Sequence, residues 1–324
     1  MSLRRYTVMR IIQLLVTFFI VMTLIFALFR LMPGDPGVFL ISPKMSEAAK
    51  ETIREQFGLT KSIPEQYILF IKNTLKGEFG NSFYYGRPVK DILFEKILNS
   101  IVLFTFGAIL AYAIGITIGK IISWKRGSKT DTFFTMMGLG FWTFFPPWLG
   151  LIVIWIFSYR LDLFPLGGMI NPEVWAFNPT LSQKIIDFLH HLALPLMTYV
   201  LMWFAGSMLI MRNSMLETLR EDYILTAKAK GLKDKVVRDK HAARNAMLPV
   251  VTSFSMSIAF SFGGCVLTET VFSWPGIGRT IVQSTLLQDY PLAQASFMVI
   301  TLAVLIANFA ADIVYAYLDP RVKY

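Results

Sequence analysis

Three histidines, one cysteine and one polar pair in an apolar run are the residues of this 324-residue chain that could carry chemistry. Adjacent helical positions point about 100° apart. His190 and His191 would therefore need further ligands to hold a metal, and the sequence offers none; they read as an interfacial helix start. His241 stands alone among basic residues. Cys265 lies among small and apolar residues, where a thiol packs as an inert small hydrophobe. A single cysteine forms neither an intrachain disulfide nor a cysteine metal cage. There is no G-x-x-x-x-G-K-S/T phosphate loop; Gly115 and Gly119 before Lys120 have the wrong spacing and sit in an apolar run. There is no H-E-x-x-H. Asn308 and Asp312 lie one helical turn apart in the last apolar run. A carboxylate there is a functional candidate, for transport or proton relay, and interhelical polar bonding explains the pair equally well. A protease built on paired intramembrane aspartates would need a second aspartate in another run, and none is present. The chain carries no constellation for covalent chemistry and no metal site.

The elements that position these residues are apolar. Lys and Arg number 31 against 21 Asp and Glu, a net charge of +10, while 55% of residues are hydrophobic and 16% charged. Soluble domains carry roughly 25% charged residues, so this surface could not be covered in water, and disorder is excluded for the same reason. Six runs are long enough for the roughly 20 residues that cross a bilayer core. They are Ile11–Leu31, Ile101–Ile122, Phe133–Phe157, Leu192–Met211, Val250–Phe272 and Ala295–Leu318. The first is too long for a signal peptide and reads as a retained anchor. Pro146-Pro147 should kink or break the third, and Pro195 lies near the start of the fourth. Eighteen Lys and Arg fall at the N-terminus, after spans two and four, and in the tail; the alternate short loops hold three. The positive-inside rule then places both termini and the Arg212–Pro249 segment in the cytoplasm. The basic excess is a topological address, with no patch left for nucleic acid.

The chain divides into residues 1–32 with the first span, an extracytoplasmic segment 33–99, a five-helix core 100–318 containing loop 212–249, and a tail 319–324. The external segment reads as folded. Pro33–Gly37 is a turn, Ser46-Glu47 a helix start with Ile53 and Phe57 on one face, and Tyr67, Ile71 and Leu75 mark a helix opened by Pro64 and closed by Gly77. It serves either as a cap that meets a partner or guards an entrance, or as a packed connector. In the loop, Asp222 and Tyr223 open a short helix, Ala227 and Ala229 allow close approach, and Gly231 supplies a left-handed stop. A second helix is predicted from about Leu232 to Met247, with Leu232, Val236, Ala243 and Met247 within about 60° of arc, and Pro249 breaking it before span five. Such an elbow can receive force from a soluble motor or lie as an amphipathic helix on anionic lipid.

The stretch Glu221-Asp222-Tyr223-Ile224-Leu225-Thr226-Ala227-Lys228-Ala229-Lys230-Gly231-Leu232 resembles the coupling loop of ATP-binding-cassette importer permeases of the dipeptide/oligopeptide type. So does His241-Ala242-Ala243-Arg244-Asn245-Ala246-Met247-Leu248-Pro249. The likeness runs along nearly the whole chain. It includes Arg30–Pro36, Phe57-Gly58-Leu59 with Gln66-Tyr67, Gly77–Ser82, His190–Pro195, Val271–Arg279, Asp289-Tyr290-Pro291 and Leu318–Arg321. The wider superfamily has Glu-Ala-Ala, three residues, then Gly; here Leu225, Thr226, Ala227 and Gly231 hold those places, without the acid. Leu248-Pro249 also lies about five residues further on than the broad pattern, and both departures suit the peptide branch. The resemblance implies an all-α integral membrane protein with six transmembrane helices, a small extracytoplasmic helical segment and a cytoplasmic coupling elbow. It implies a plasma-membrane permease subunit beside a second, homologous permease, two cytoplasmic ATPases that hold ATP and Mg, and an extracytoplasmic substrate-binding protein. This chain itself would bind no cofactor and catalyse no reaction. Asp222, Tyr223, Thr226, Ala227, Lys228, Ala229, Lys230, Gly231, Leu232, His241, Arg244 and Asn245 are the implied ATPase-coupling residues. The implied cargo is di- or oligopeptides, with oligosaccharides, nickel chelates or glutathione as alternatives; a passive channel is the competing class.

Overall fold

The computed structural model describes residues 3–31, 61–261 and 265–318. The turn predicted at Pro33–Gly37, the helix start at Ser46, the Ile53/Phe57 face and the tail beyond residue 318 lie outside the described residues. Within them the chain is helical, with one isolated bridge between Asn81 and Pro88. Helix α1 spans Leu3–Leu31, α2 Ile63–Lys76, α3 Val89–Trp124 and α4 Lys129–Thr143. Helix α5, Pro146–Ile154, continues into a π turn, Trp155–Arg160. Then come α6 (Pro172–Ala176), α7 (Leu181–Thr218), α8 (Asp222–Ala229) and α9 (Asp234–Val236). A second π turn, Val237–Ala242, leads into α10 (Ala243–Phe260), followed by α11 (Val266–Val271), α12 (Ile277–Leu286) and α13 (Tyr290–Leu318).

Four stretches are long and apolar enough to cross a membrane alone: Arg5–Arg30, Val89–Trp124, Leu181–Thr218 and Tyr290–Ala310. Helices α4 and α5, with the π turn, pass that test only together and are bent by 102°. The bend has the predicted cause. Phe144 and Phe145 are extended, because a residue before proline is pushed out of the helical region, and Pro146 restarts the helix where its missing N–H costs nothing. The fifth predicted span differs. Val250–Phe272 is not one helix: α10 stops at Phe260, and Cys265 is extended before α11 begins. Pro249 does not break the chain either, since α10 starts six residues before it and runs through it. Proline removes one backbone bond, which packed neighbours can offset.

Helix α2 forms as its pattern demands. The Glu65 carboxylate accepts from the Ser62 N–H at 3.0 Å, and Gly77 takes the left-handed conformation, φ +71, that ends the helix. Tyr67 packs edge-on against Phe26 of α1, ring centres 5.1 Å apart, and its hydroxyl meets Thr23 Oγ1 at 2.5 Å. The stripe stops short of Leu75, which is exposed.

The centre of the bundle is the crossing of α3 and α7. A Cβ on Gly115 would overlap Ser207 Oγ and lie 2.6 Å from the Phe204 carbonyl oxygen; one on Gly119 would lie 2.7 Å from the Met208 carbonyl oxygen. The Gly115-x-x-x-Gly119 spacing that fails as a phosphate loop therefore lets two backbones touch, and Ser207 Oγ donates to the Ala111 carbonyl across the contact at 3.1 Å. Two carboxylates lock the other end. Glu269 is fully buried, accepting from Ser100 Oγ (2.6 Å) and the Arg279 N–H (2.9 Å). Ser100 Oγ accepts in turn from the Ile277 N–H at 2.9 Å. Gly276 leaves no room for a Cβ against that carboxylate. Asp289 accepts from Ser82 Oγ and from the Phe83 and Tyr84 N–H groups, both at 3.2 Å, tying the segment before α3 to the start of α13.

Candidate functional site

The Arg212–Pro249 segment folds as two short helical pieces around Gly231. Helix α8 ends at Ala229; the Lys230 N–H donates to the Thr226 carbonyl (3.1 Å) and the Gly231 N–H to the Lys228 carbonyl (2.9 Å). Gly231 is left-handed, φ +73, with nothing within 4 Å of where a Cβ would stand. Only glycine adopts that conformation without penalty. The chain then turns through Leu232 and Lys233 into α9.

One face of this turn is seated on the bundle. Ile224 and Ala227, three residues apart on α8, are buried with Val237, Ala242, Ala243, Ala246 and Val250 against Tyr112, Met211 and Met215. The stripe predicted for the second helix is met in part: Ala243 is buried and Met247 packs against the cluster, whereas Leu232 is exposed and precedes the helix, and Val236 is half-buried beside the buried Val237. A π turn at Val237–Ala242 joins α9 to α10. From Ala242 the spacing Ala242, Ala246, Val250 runs true at i, i+4, i+8 into α10.

The predicted site residues fall into two sets. Ala227 is buried in the seat. Tyr223 and Asn245 join the two halves, Asn245 Nδ2 donating to Tyr223 Oη at 2.6 Å. Lys228 holds its ammonium 5.3 Å from the centre of the Trp124 ring at the end of α3, a cation–π contact. Thr226 Oγ1 donates back to the Asp222 carbonyl at 3.1 Å. Ala229, Lys230, Gly231, Leu232 and Arg244 face outward, and His241 is half-buried. Exposed Tyr223, Leu225 and Leu232 give the outward face an apolar character between lysines. Ile224, Ala242 and Ala246 were missed as seat residues; the alternation of small and branched residues at helical spacing is the signal that marks them. The Arg238 guanidinium beside Asp239, 2.8 Å away, holds that carboxyl below the ordinary carboxylate range against partial desolvation, with Lys120 and Lys235 adding to the effect.

A second connection supports the seat from the side. Arg212 of α7 grips Asp131 of α4 with Nε and Nη2, both at 2.8 Å, and Asp131 also accepts from the Gly127 N–H at 3.0 Å. Such a bidentate pair fits arginine alone. Arg212→Ala is expected to cost about 1–3 kcal/mol, read as a lower unfolding temperature in detergent. Arg212→Lys should recover only part of it, and an unchanged melting temperature in the alanine variant would refute the role.

His190 Nε2 meets the Leu163 carbonyl oxygen at 2.6 Å, while His191 Nδ1 lies 2.9 Å from the Asp187 carbonyl oxygen. The two rings stand nearly perpendicular, 86° between planes and 6.5 Å between centres, and among the described residues no group of three or more His, Cys, Asp or Glu could hold an ion. The pair is not a helix start, because α7 begins at Leu181 with Thr180 as its cap. Asp312 has a partner the sequence did not disclose: Arg10 Nη1 of α1, 3.2 Å from its Oδ2.

Comparison with known proteins places the sequence in a family. Residues 111–324 match the description "Binding-protein-dependent transport system inner membrane component", and residues 3–104 match the N-terminal part of the same membrane component. The chain is 37% identical over 305 residues to the oligopeptide transport system permease protein AppB of Bacillus subtilis, covering 92% of this chain and 93% of that one. It is 34% identical over 331 residues to the dipeptide transport system permease protein DppB of Alkalihalophilus pseudofirmus, covering 98% of each. It is 31% identical over 322 residues to the glutathione transport system permease protein GsiC of Escherichia coli K12, covering 98% and 99%. With several apolar helices of membrane-crossing length, a seated glycine turn and these matches along both halves, the chain belongs to the family of inner membrane components of binding-protein-dependent transport systems.

Proposed function

We propose that this chain is one of two membrane subunits of an ATP-driven importer of di- or oligopeptides. Six crossings are assigned: α1, α3, the bent pair α4–α5, α7, α10 with α11, and α13. Both termini and the Gly231 turn face the cytoplasm, and residues 33–99 with the short outer helices form the extracytoplasmic side. A second, homologous permease completes the path, two cytoplasmic ATPases supply ATP, Mg and hydrolysis, and an extracytoplasmic binding protein delivers cargo. The turn is the coupling elbow. Asp222, Tyr223, Thr226, Ala227, Lys228, Ala229, Lys230, Gly231 and Leu232, with His241, Arg244 and Asn245, are its ATPase-coupling residues, the exposed ones meeting the ATPase and the buried Ala227 holding the seat, and alternating access follows when the elbow moves.

The observation that carries this reading is the seat of α8. An elbow buried on one face through Ile224 and Ala227, apolar on the other, and continuous with α10 can pass a displacement into the bundle. A passive pore has no use for it. The test is reconstitution of the co-purified assembly in vesicles with its binding protein. ATP-dependent uptake of labelled peptides is expected; uptake of oligosaccharide, nickel chelate or glutathione instead would move the cargo assignment, and solute flow through this chain alone without ATPases would overturn the importer.

A further inference from the structure

We propose that the groove between α1 and α13 is a binding site for a phospholipid whose headgroup carries both a phosphate and a primary ammonium. The groove is a cleft of about 310 Å³ whose walls include Arg10, Gln13, Leu14, Asn308, Phe309 and Asp312, within the size range of small-ligand sites. Its charged floor is the Arg10–Asp312 pair, and both side chains remain partly open, 39% and 29% exposed. Arg10 donates Nε to Tyr6 Oη at 3.1 Å and holds Nη1 against Asp312 at 3.2 Å and Gln13 at 3.5 Å, so among the described residues its Nη2 is left for a ligand. Asn308, one turn above Asp312, is exposed, and among the described residues its amide has no hydrogen-bond partner.

Position makes that unusual. Asp312 and Asn308 lie six and ten residues before the end of α13, about 9 and 15 Å along the axis. Arg10 directly precedes the apolar run of α1. The groove therefore opens at the boundary between headgroups and hydrocarbon, where unpartnered polar groups are costly. A ligand that fills it must answer a cation, an anion and an amide while leaving the site neutral. The ion pair is already balanced, so an anionic lipid would bring an uncompensated charge beside Asp312. A zwitterion would not: its phosphate meets Arg10, its ammonium meets Asp312, and Asn308 reaches an ester carbonyl. A quaternary ammonium has no N–H for Asp312, which selects a primary amine. Leu14 and Phe309 take the first methylenes of the chains.

The test uses the complete transporter in nanodiscs of equal phosphatidylethanolamine, phosphatidylcholine and phosphatidylglycerol, with retained lipid counted by native mass spectrometry and unfolding followed in each lipid alone. Phosphatidylethanolamine should be enriched about tenfold over phosphatidylcholine, the factor one charge-assisted hydrogen bond supplies, and should give the highest unfolding temperature. Asp312→Asn and Arg10→Gln should remove the enrichment. A purely structural ion pair would lower stability equally in all three lipids and leave the ratio untouched. Equal retention in the wild type, enrichment that persists in Asp312→Asn, or a groove covered by the partner permease and free of lipid would each overturn the proposal.

Discussion

Gly115→Leu is expected to prevent the bundle from assembling. The added side chain has nowhere to go, because a Cβ alone overlaps Ser207 Oγ and presses on the Phe204 carbonyl at 2.6 Å. A flexible side chain could swing away; a backbone carbonyl inside a 38-residue helix cannot. Overpacking a core costs about 1–3 kcal/mol where neighbours can shift, and here the two central helices must separate along their length. The cost should exceed about 3 kcal/mol, a large part of a total stability of about 5–15 kcal/mol. The readout is the yield of monodisperse protein on size exclusion and its unfolding temperature. Ser207→Gly in the same chain should recover a Gly115→Ala variant only partly, since the carbonyl contact stays. Gly140→Ala is the matched control: its Cβ meets nothing within 4 Å, and alanine favours a helix over glycine by about 1 kcal/mol. A Gly115→Leu protein that melts like the wild type would show that the α3–α7 contact is looser than its geometry.

How far the sequence discloses this architecture depends on whether a feature is local. Four of the six expected helices of crossing length, the break at Pro146-Pro147 and the left-handed turns at Gly77 and Gly231 follow from composition and backbone sterics within a few residues, and they stand where expected. Partnership across the chain does not. Glu269 sits in an apolar run and Asp289 in a short loop with no local sign of a partner, yet each receives donors from residues near position 100 or 82. Arg10 counts as a topogenic charge until α13 brings Asp312 beside it. The winding of the chain is equally hidden. The π turn before Ala243 leaves no mark in composition, so nothing in the sequence places it. Leu75 and Leu232 fail for the opposite reason: each has the right period, but each lies at the end of its element, where no neighbour remains to cover it.

The largest functional effect should come from Gly231→Trp, which tests the elbow without touching the seat. The substitution adds strain of about 1–2 kcal/mol from a left-handed non-glycine residue, and the indole projects into open space. Ile224 and Ala227 keep α8 in place, since neither contacts Gly231 in the buried cluster. Membrane insertion and unfolding temperature should therefore stay near wild type. What changes is the outward face, where Tyr223, Leu225 and Leu232 offer the surface that an ATPase groove would grip. A bulky ring at the apex holds the partner away or tilts it, so displacement no longer reaches α10. The expected result is continued ATP hydrolysis with peptide uptake lost. Gly231→Asn separates shape from strain, because asparagine tolerates the left-handed region and adds little bulk; it should retain most transport. Gly231→Ala carries the strain without the ring and should fall between the two. If all three transport alike, the turn is a connector and force enters the bundle elsewhere. If Asn and Ala fail as badly as Trp while folding normally, the glycine conformation itself, rather than the clear space around it, is what the motor requires.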